Sequence, residues 1–229
     1  MRPFQTGLSV KKTEIMLTIF TRLLDCFGPQ HWWPGDSPFE VMVGAILTQS
    51  AAWQNVEKGI ANLKAAGMLS PTALRQAPVE EIARLIHSCG YYNAKARKLK
   101  ALVEWLAESC GDDIVRLSAR ETTELRQQLV AVHGIGLETA DSILLYAIGR
   151  PVFVIDAYTR RILTRLGIAP PKETYDDYQR LFMRNLSADI QLFNEYHALL
   201  VRLGKTVCRK QPLCQECPLF DICPQNKAR

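Results

Sequence analysis

Apolar residues recur at helical spacing along almost the entire chain. Between residues 12 and 27, for example, Ile15, Ile19 and Leu23 fall on one stripe, as they do in an amphipathic α-helix. Gly28 is followed by proline and ends this first pattern. Further segments of the same kind predict helices at residues 38–48, 52–66, 78–88, 93–109, 121–131, 137–148, 156–166 and 189–204.

The run Val152–Ile155 is the one stretch that resembles a β-strand. Because it is so short, we interpret it as a buried connector between helices. Hydrophobic residues make up 48% of the 229 positions, which is enough apolar surface to bury a sizeable core. The sequence therefore predicts an all-α protein, built as one large domain or as two smaller lobes.

No apolar segment of the sequence is long enough to cross a membrane. The longest clean apolar run, Val41–Leu47, is far shorter than the roughly 20 residues of a membrane-spanning helix. Residues 1–12 lack the pattern of a signal peptide, so we expect a cytoplasmic protein. In that compartment Cys26, Cys89 and Cys110 are expected to be free, largely buried thiols.

Four of the seven cysteines lie close together near the C-terminus, at Cys208, Cys214, Cys217 and Cys223. Thiolates are soft ligands, so four of them on one proline-interrupted loop predict a metal centre. Zinc and a [4Fe–4S] cluster are both compatible with this loop. A zinc ribbon usually has two C-x2-C pairs, whereas the spacing here is C-x5-C-x2-C-x5-C. A single close pair with equal flanks favours the iron–sulfur cluster.

A glycine turn, His133-Gly134-Ile135-Gly136, separates the helices predicted at 121–131 and 137–148. Two glycines one residue apart let the backbone turn tightly and expose amide groups at the start of the second helix. Such a turn can receive a phosphate group, although an ordinary connection between helices is the alternative. The net charge of +5 is compatible with a polyanionic partner but does not specify one.

Asp156 follows this turn at the start of the next predicted helix. Aspartate often caps a helix N-terminus, which is the simple structural interpretation. However, the order of glycine hairpin, aspartate and four-cysteine loop resembles the endonuclease III family of DNA glycosylases, in the helix-hairpin-helix superfamily. The resemblance extends from about residue 12 to residue 223. Further matching residues are Phe39-Glu40, Gly90-Tyr91-Tyr92-Asn93, Lys95-Ala96 and Gly204-Lys205.

The resemblance implies a helix-hairpin-helix glycosylase fold of two lobes. Residues 37–149 form a helical barrel lobe that includes the hairpin, and residues 1–36 with 150–229 form a second lobe that carries a [4Fe–4S] cluster. Double-stranded DNA with a damaged base lies in the groove between them, with the damaged nucleotide flipped out of the duplex. Asp156 is the implied catalytic residue, which stabilises positive charge on the sugar and orients or deprotonates the attacking water.

The resemblance also sets expectations for partners and location. We expect a monomer that binds DNA and has no membrane partner. If the source is bacterial, we expect the protein to be associated with the nucleoid.

Glu138 is a departure from the family pattern. Bifunctional members carry a lysine at this position, whose amine attacks C1′ of the sugar and forms a Schiff base that leads to strand cleavage. A carboxylate cannot form an imine, so Glu138 favours simple hydrolysis. A bifunctional glycosylase with AP lyase activity and a catalytically weak protein that binds DNA damage are the alternatives. The first spacer of the cysteine loop is also a departure, with five residues where six is commoner.

The substrate is suggested by His31-Trp32-Trp33-Pro34, which resembles the 3-methyladenine DNA glycosylases of the same superfamily. The run Gly44–Gln49 and the aromatic residue at Trp53 share this resemblance. An alkylated purine is cationic, and cation–π attraction contributes about 0.5–2 kcal/mol per aromatic ring. Trp32, Trp33 and Trp53 are therefore predicted to form the base pocket. The alternative is that adjacent tryptophans only fill an interface. Members of this branch often lack the cysteine loop, so the chain combines features of two branches.

Other residues are predicted to contact DNA or to support the pocket. Gln49 and Ser50 match the place where family members fill the gap left by the flipped base, and a solvated helix end is the alternative. Lys205 matches a basic position near the pocket or the phosphates, and a lysine that is only solvated is the alternative. Glu40 is expected to cap or brace the barrel. The hairpin residues expected to contact DNA phosphates are His133, Gly134, Ile135, Gly136 and Thr139.

Overall fold

The computed structural model describes the backbone of residues 6–225 and the side chains of residues 11–225. Its regular structure is helical, and no β-strand occurs in this part of the chain, which confirms the predicted all-α fold. The ends of the predicted second lobe, residues 1–5 and 226–229, lie outside the described residues. The α-helices are α1 (Thr6–Phe27), α2 (Pro38–Leu47), α3 (Trp53–Ala65), α4 (Pro71–Gln76), α5 (Val79–Leu85), α6 (Tyr92–Cys110), α7 (Thr122–Ala131), α8 (Leu137–Ser142), α9 (Ala157–Arg165), α10 (Tyr175–Asn185) and α11 (Ile190–Thr206).

The chain divides into two compact units. One unit comprises Trp33–Arg150, and the other joins the chain before Trp33 to the chain after Arg150. The sequence suggested a first boundary at residue 37, a few residues later. Trp33 belongs to the Trp33–Arg150 unit because its indole ring packs there against Gly44 and Trp53.

Helix α2 is the centre of the Trp33–Arg150 unit. Every residue from Phe39 to Leu47 is buried, and the helix contacts α3, α6 and α8. Each fully buried aliphatic side chain of this kind contributes about 1.5–3 kcal/mol. The apolar run that is too short for a membrane span is therefore the core helix of this unit. In the described part of the chain, no helix combines the length and apolarity needed to cross a bilayer.

The start of α2 is fixed by polar side chains. Ser37 accepts a hydrogen bond from the amide of Glu40 at 3.2 Å, and the Glu40 carboxylate accepts one from the amide of Asp36 at 3.1 Å. Glu40 also forms an ion pair with Lys64 of α3 at 2.8 Å. These contacts confirm that Glu40 caps α2 and braces it against its neighbour.

Two helices of the structure were not predicted, α4 and α10. Each has a side-chain cap, from Ser70 in α4 and from Thr174 in α10. Helix α4 buries only one side chain, Leu74, so it has almost no apolar stripe. In both cases the capping residue was the available signal, because Ser and Thr directly before a short segment mark helix starts.

The helix after the hairpin is shorter than the predicted 137–148 segment. Helix α8 ends at Ser142, and the chain continues as a π-helical turn over Ile143–Ala147. This wider turn buries Ile143, Leu144 and Leu145 in succession. Turns of this kind are often found at functional sites. Here the turn carries Tyr146, which takes part in the aromatic cluster described below.

The second unit has an aromatic core around the predicted connector. Val152–Ile155 is buried and forms no strand, as predicted. Phe153 stacks on Phe182 of α10 at a centroid distance of 3.7 Å and meets Tyr196 of α11 edge-on at 5.9 Å. Tyr196 donates its hydroxyl to the carbonyl of Met16 at 2.8 Å, which ties α11 to α1. The connector thereby fixes the backbone directly before Asp156.

The cysteines outside the C-terminal loop differ in burial. Cys89 and Cys110 are buried free thiols, as predicted. The prediction is wrong for Cys26, which is exposed. Cys26 is seven residues after Ile19 and therefore shares its side of α1, but it lies in the last turn of the helix, which ends at Phe27.

Arg126 of α7 and Asp141 of α8 join the two helices that flank the glycine turn. Nε of Arg126 donates to Oδ1 of Asp141 at 2.6 Å, and Nη2 donates to Oδ2 at 2.9 Å. Asp141 is fully buried, so its charge is stabilised by a two-point ion pair rather than by water. This pair holds together the two helices on either side of the hairpin.

We predict that Arg126→Met lowers the free energy of unfolding by about 3 kcal/mol, because the buried carboxylate loses its charged partner. Urea-induced unfolding measures this change. Arg116→Met is the matched control, since Arg116 pairs with Asp113 at 3.1 Å on the exposed surface. A surface pair of this kind contributes about 0–1 kcal/mol. Equal losses in the two variants would contradict a special role for the buried pair.

Candidate active site and metal loop

Asp156 lies at the start of α9, directly after the buried connector. Its Oδ1 accepts a hydrogen bond from the amide of Thr159 at 2.7 Å, so the simple capping interpretation is correct. Its Oδ2 lies 3.7 Å from Nε2 of His197 on α11. Asp156 is 8% exposed. One carboxylate oxygen is therefore used by the helix, and the side chain is held in one orientation.

His197 is a neutral neighbour of this carboxylate. Burial lowers the pKa of His197 below its ordinary value, Lys205 lowers it further, and Asp156 opposes both effects. The burial effect is the largest of the three. The imidazole is therefore uncharged near neutral pH and does not cancel the negative charge of Asp156.

Trp32 and Lys205 belong to the same unit as Asp156 and His197. The ammonium of Lys205 lies 5.8 Å from the centroid of the Trp32 ring, within cation–π range. Lys205 is exposed near the end of α11. The structure thus brings together two of the predicted pocket residues, with a protein cation beside the indole.

Trp33 and Trp53 form an aromatic cluster with Tyr146 in the Trp33–Arg150 unit. Trp33 meets Trp53 edge-on at a centroid distance of 5.4 Å and meets Tyr146 at 5.2 Å. The Trp33 indole lies against Gly44 of α2, where a Cβ atom would come within 3.2 Å of its Nε1. A side chain at position 44 would displace the ring, so the glycine of α2 determines where Trp33 lies.

Tyr146 was not among the predicted site residues. The sequence indicated one regular helix over 137–148, in which Tyr146 is one of several apolar positions. The π-helical turn changes the direction of the side chains after Ser142 and brings Tyr146 to Trp33. Nothing in the local apolar pattern indicates such a turn.

The hairpin turn is anchored by one buried side chain and otherwise faces outward. Ile135 is only 4% exposed, so its side chain packs inside and does not present itself to a ligand. His133 and Gly136 are exposed. Gly134 has φ +80°, a left-handed conformation that glycine adopts without strain. Within the turn itself, Ile135 is therefore an internal anchor, Gly134 is half-buried, and His133 and Gly136 are exposed.

Gln49 and Thr139 have internal roles in this structure. Nε2 of Gln49 donates to the carbonyl of Gly134 at 3.1 Å and to Oγ1 of Thr139 at 2.9 Å. Thr139 is 7% exposed. We predicted that Gln49 fills the gap left by a flipped base and that Thr139 contacts DNA, whereas here both support the hairpin. Ser50 remains exposed at the end of α2, with a left-handed φ of +52°.

Neither Glu138 nor Lys95 offers an accessible amine near the hairpin. Glu138 is exposed in the first turn of α8. Lys95 is 2% exposed, and its ammonium donates to the carbonyls of Leu47 and Cys89, both at 2.8 Å. Lys95 therefore closes the end of α2 and has no path to a bound ligand.

The four cysteines of the C-terminal loop line one cavity of about 140 Å³. A single water needs about 10–15 Å³ measured in this way, so the cavity has room for a group of several atoms. Within residues 11–225, no three His, Cys, Asp or Glu side chains converge as ligands of one ion. Four thiols around a larger space fit a polynuclear cluster better than a single zinc ion.

The surroundings of the loop cysteines differ, because Arg165 favours an anionic sulfur at Cys208 whereas burial disfavours one at Cys217. Nη1 of Arg165 donates to Sγ of Cys208 at 3.2 Å and to the carbonyl of Arg209 at 2.6 Å. Burial and the neighbouring cysteines raise the pKa of Cys217 to about 11. This thiol therefore stays protonated unless a metal cation displaces its proton.

Comparison with known proteins identifies the family. The model of the HhH-GPD superfamily of base excision DNA repair proteins matches residues 43–188, which include the hairpin and Asp156. The chain belongs to the HhH-GPD superfamily. The predicted resemblance to endonuclease III-like helix-hairpin-helix proteins is thus confirmed.

Relatives of this HhH-GPD protein cover nearly its full length. A protein of Methanocaldococcus jannaschii, provisionally named a DNA repair glycosylase, is 42% identical over 213 residues, which is 93% of this chain and 97% of the relative. Endonuclease III of Sulfolobus acidocaldarius is 28% identical over 186 residues, 81% of each chain.

Solved structures share the fold of this HhH-GPD protein. An endonuclease III trapped as a covalent intermediate with DNA superposes with a TM-score of 0.80 at 22% identity, over 95% of this chain and 98% of that one. The 3-methyladenine DNA glycosylase of H. pylori bound to 1,N6-ethenoadenine has a TM-score of 0.70 at 26% identity, over 86% and 97%.

We predict that the two hairpin glycines respond differently to substitution. Gly134→Ser should destabilise by at least about 1–2 kcal/mol, because a side chain disfavours the left-handed region. A Cβ atom there would also lie 2.3 Å from Cγ of Lys98. Gly136→Ser should be neutral, because its backbone is extended and no atom lies within 4 Å of the new Cβ. Thermal unfolding of both variants checks this, and equal loss of stability would contradict it.

Proposed function

We propose that this HhH-GPD protein is a DNA glycosylase that hydrolyses the N-glycosidic bond of a damaged, alkylated base in double-stranded DNA and has no AP lyase activity. The observation that carries the proposal is Asp156, a buried carboxylate of fixed orientation beside the neutral His197. Its position in the family segment after the hairpin supports a catalytic role.

Asp156 acts on the sugar of the flipped nucleotide. As the N-glycosidic bond breaks, positive charge develops on the sugar ring, and the carboxylate stabilises it. The same carboxylate orients the attacking water and accepts its proton. Because His197 is neutral, the negative charge of Asp156 remains available for this interaction.

Simple hydrolysis is favoured over lyase chemistry by the groups near the hairpin. The exposed Glu138 has no amine with which to form a Schiff base. Lys95 is buried, and both carbonyls around its ammonium accept hydrogen bonds from it. Lys205 is exposed and lies beside Trp32, so its amine is the one that a trapping experiment has to test.

An alkylated base is favoured by the aromatic cluster of Trp33, Trp53 and Tyr146. Electron-rich rings attract a cationic purine, and these three already contact one another edge-on or tilted. Trp32 is less suited to a cationic base, because the ammonium of Lys205 is already beside its ring. The likeness to the H. pylori 3-methyladenine DNA glycosylase supports this class of substrate.

The hairpin and the end of α2 bind the DNA backbone. His133 and Gly136 are exposed at the turn, and its amides face phosphate oxygens. Ser50 is the exposed residue that takes the gap left by the flipped base. These contacts do not depend on base sequence, so the hairpin contributes affinity and the aromatic cluster contributes selectivity.

The C-terminal loop holds a [4Fe–4S] cluster through Cys208, Cys214, Cys217 and Cys223. Four thiol donors around a cavity with room for several atoms support this assignment. When bound, such a cluster supplies a rigid cross-link of the loop, and it can carry one electron. Arg165 donates to Cys208 and so stabilises the anionic sulfur.

We predict that Asp156→Asn abolishes base release while DNA affinity changes little. The amide keeps the shape of the side chain and still caps α9, but it cannot offset positive charge on the sugar. The assay uses duplexes that each carry one lesion, with 3-methyladenine, 7-methylguanine, hypoxanthine, uracil and thymine glycol compared. Wild-type protein should release the alkylated base and leave the abasic strand intact until alkali is added.

Borohydride trapping distinguishes hydrolysis from the bifunctional glycosylase and AP lyase mechanism, because reduction fixes an imine between protein and DNA covalently. No trapped complex is expected for the wild type. Efficient trapping that Lys205→Met removes would overturn the hydrolytic mechanism. A wild-type protein that binds lesions but releases no base would instead support a damage-binding role, and Asp156→Asn would then change nothing.

For the cluster, we predict about four irons per chain and a yellow-brown colour from thiolate-to-iron charge transfer. Cys214→Ser should lose both iron and colour and should destabilise the C-terminal loop, because metal binding and folding are coupled. Cys26→Ser is the matched control, since Cys26 is exposed and lies outside the loop. Colourless wild-type protein with one zinc per chain would show that the metal is assigned incorrectly.

A further inference from the structure

Lys98 of α6 lies directly against the hairpin turn. Its aliphatic chain covers Gly134 so closely that a Cβ atom at that position would be 2.3 Å from Cγ and 2.6 Å from both Cδ and Cε. The side chain is partly buried, and its ammonium donates to Oε1 of Gln49 at 2.5 Å. A cation beside the turn is thus held by the protein itself.

Gln49 connects Lys98 to the turn and to α8. Its amide nitrogen has two N–H groups, which donate to the carbonyl of Gly134 and to Oγ1 of Thr139. Its amide oxygen accepts from Lys98. One side chain at the end of α2 therefore links α6, the turn and α8 by three hydrogen bonds.

We propose that Lys98 and Gln49 form a strut that holds the hairpin turn in its DNA-binding conformation, so that Lys98 acts on DNA affinity through the turn and not through its own charge. Within the turn the amide of Ile135 donates to the carbonyl of Val132, and the contacts on Gly134 itself come from Lys98 and Gln49. The aliphatic chain of Lys98 packs on Gly134, and the side-chain amide of Gln49 donates to the carbonyl of Gly134.

The competing role for a lysine beside a hairpin is a direct phosphate contact. The two roles differ in salt dependence. A lost phosphate contact lowers the slope of log Kd against log salt by about 0.9. A lost strut weakens binding by changing the shape of the turn, so the number of phosphate contacts and the slope stay the same. The inference rests on the proposed DNA contact of the hairpin.

The experiment measures Kd for an undamaged duplex over a range of salt concentrations, which separates it from any test of base release. Lys98→Met keeps the aliphatic chain and removes the ammonium, and Gln49→Met removes all three hydrogen bonds. Each variant should weaken binding roughly tenfold, as for the loss of a hydrogen bond to a charged group. The slope should not change, and the double variant should be no weaker than Gln49→Met alone, because both residues act in one unit.

Arg97→Met is the matched control, because Arg97 is the exposed neighbour on α6. It removes one positive charge without touching the turn, so any effect on affinity must come with a lower slope. A fall in slope of about 0.9 for Lys98→Met would make Lys98 a phosphate contact and would overturn the strut. Unchanged affinity in Lys98→Met and Gln49→Met would overturn it as well.

A second measurement needs no DNA. The amide of Ile135 donates to the carbonyl of Val132 at 3.1 Å inside the turn, so its hydrogen exchange reports the conformation of the turn. Exchange should be faster in Lys98→Met and Gln49→Met and unchanged in Arg97→Met. Unchanged exchange in all three would overturn the strut. If exchange is faster in Lys98→Met and Gln49→Met but the wild-type protein does not bind duplex, the strut stands and only the proposed function is overturned.

Discussion

The burial of α2 is the constraint on which most of the Trp33–Arg150 unit depends. A helix enclosed on every side has to satisfy its ends with specific partners, because water cannot do so. At the start, Ser37 and Glu40 meet this need, and at the end Lys95 covers the carbonyl of Leu47. Because the helix is fixed at both ends, the Trp33 ring can pack against Gly44. Gln49, two residues after the helix, hydrogen-bonds to the hairpin. One core element therefore positions both an aromatic cluster and a turn.

The other unit uses a different device to position Asp156. A short buried segment, Val152–Ile155, carries Phe153 into a cluster of aromatic rings, and Asp156 directly after it caps the next helix. The residue is at once a structural cap and a candidate for catalysis. These two roles are compatible, because an N-cap uses one carboxylate oxygen and leaves the other directed toward its surroundings.

Much of the fold follows from local sequence signals. Helical periodicity and glycine stops located most of the helices, and the fully apolar segment of α2 was recognisable as core. Helix α4 was missed because a periodic pattern needs several buried positions, whereas α4 has one. Helix α10 buries Tyr175, Tyr178 and Phe182, so its sequence did carry an apolar stripe. Cys26 was predicted to be buried, but it lies in the last turn of α1, where its thiol is exposed.

The candidate site was less accessible to the same reasoning, for a physical reason. The order of hairpin, aspartate and cysteines could be read along the chain, and so could the absence of an amine at Glu138. The hydrogen bonds of Gln49 join residues that are 49 to 90 positions apart, and no local pattern encodes them. The contact between Trp33 and Tyr146 likewise depends on a π-helical turn that sequence periodicity does not reveal.

Lys95 shows how burial governs chemical reactivity. Burial lowers the pKa of its ammonium, which by itself would favour the nucleophilic amine. Yet the same burial turns its N–H groups to two backbone carbonyls and excludes reagents from the nitrogen. An amine-selective acylating reagent should consequently modify Lys205 in the folded protein and spare Lys95. The appearance of label on Lys95 would then mark the moment at which the core around α2 opens.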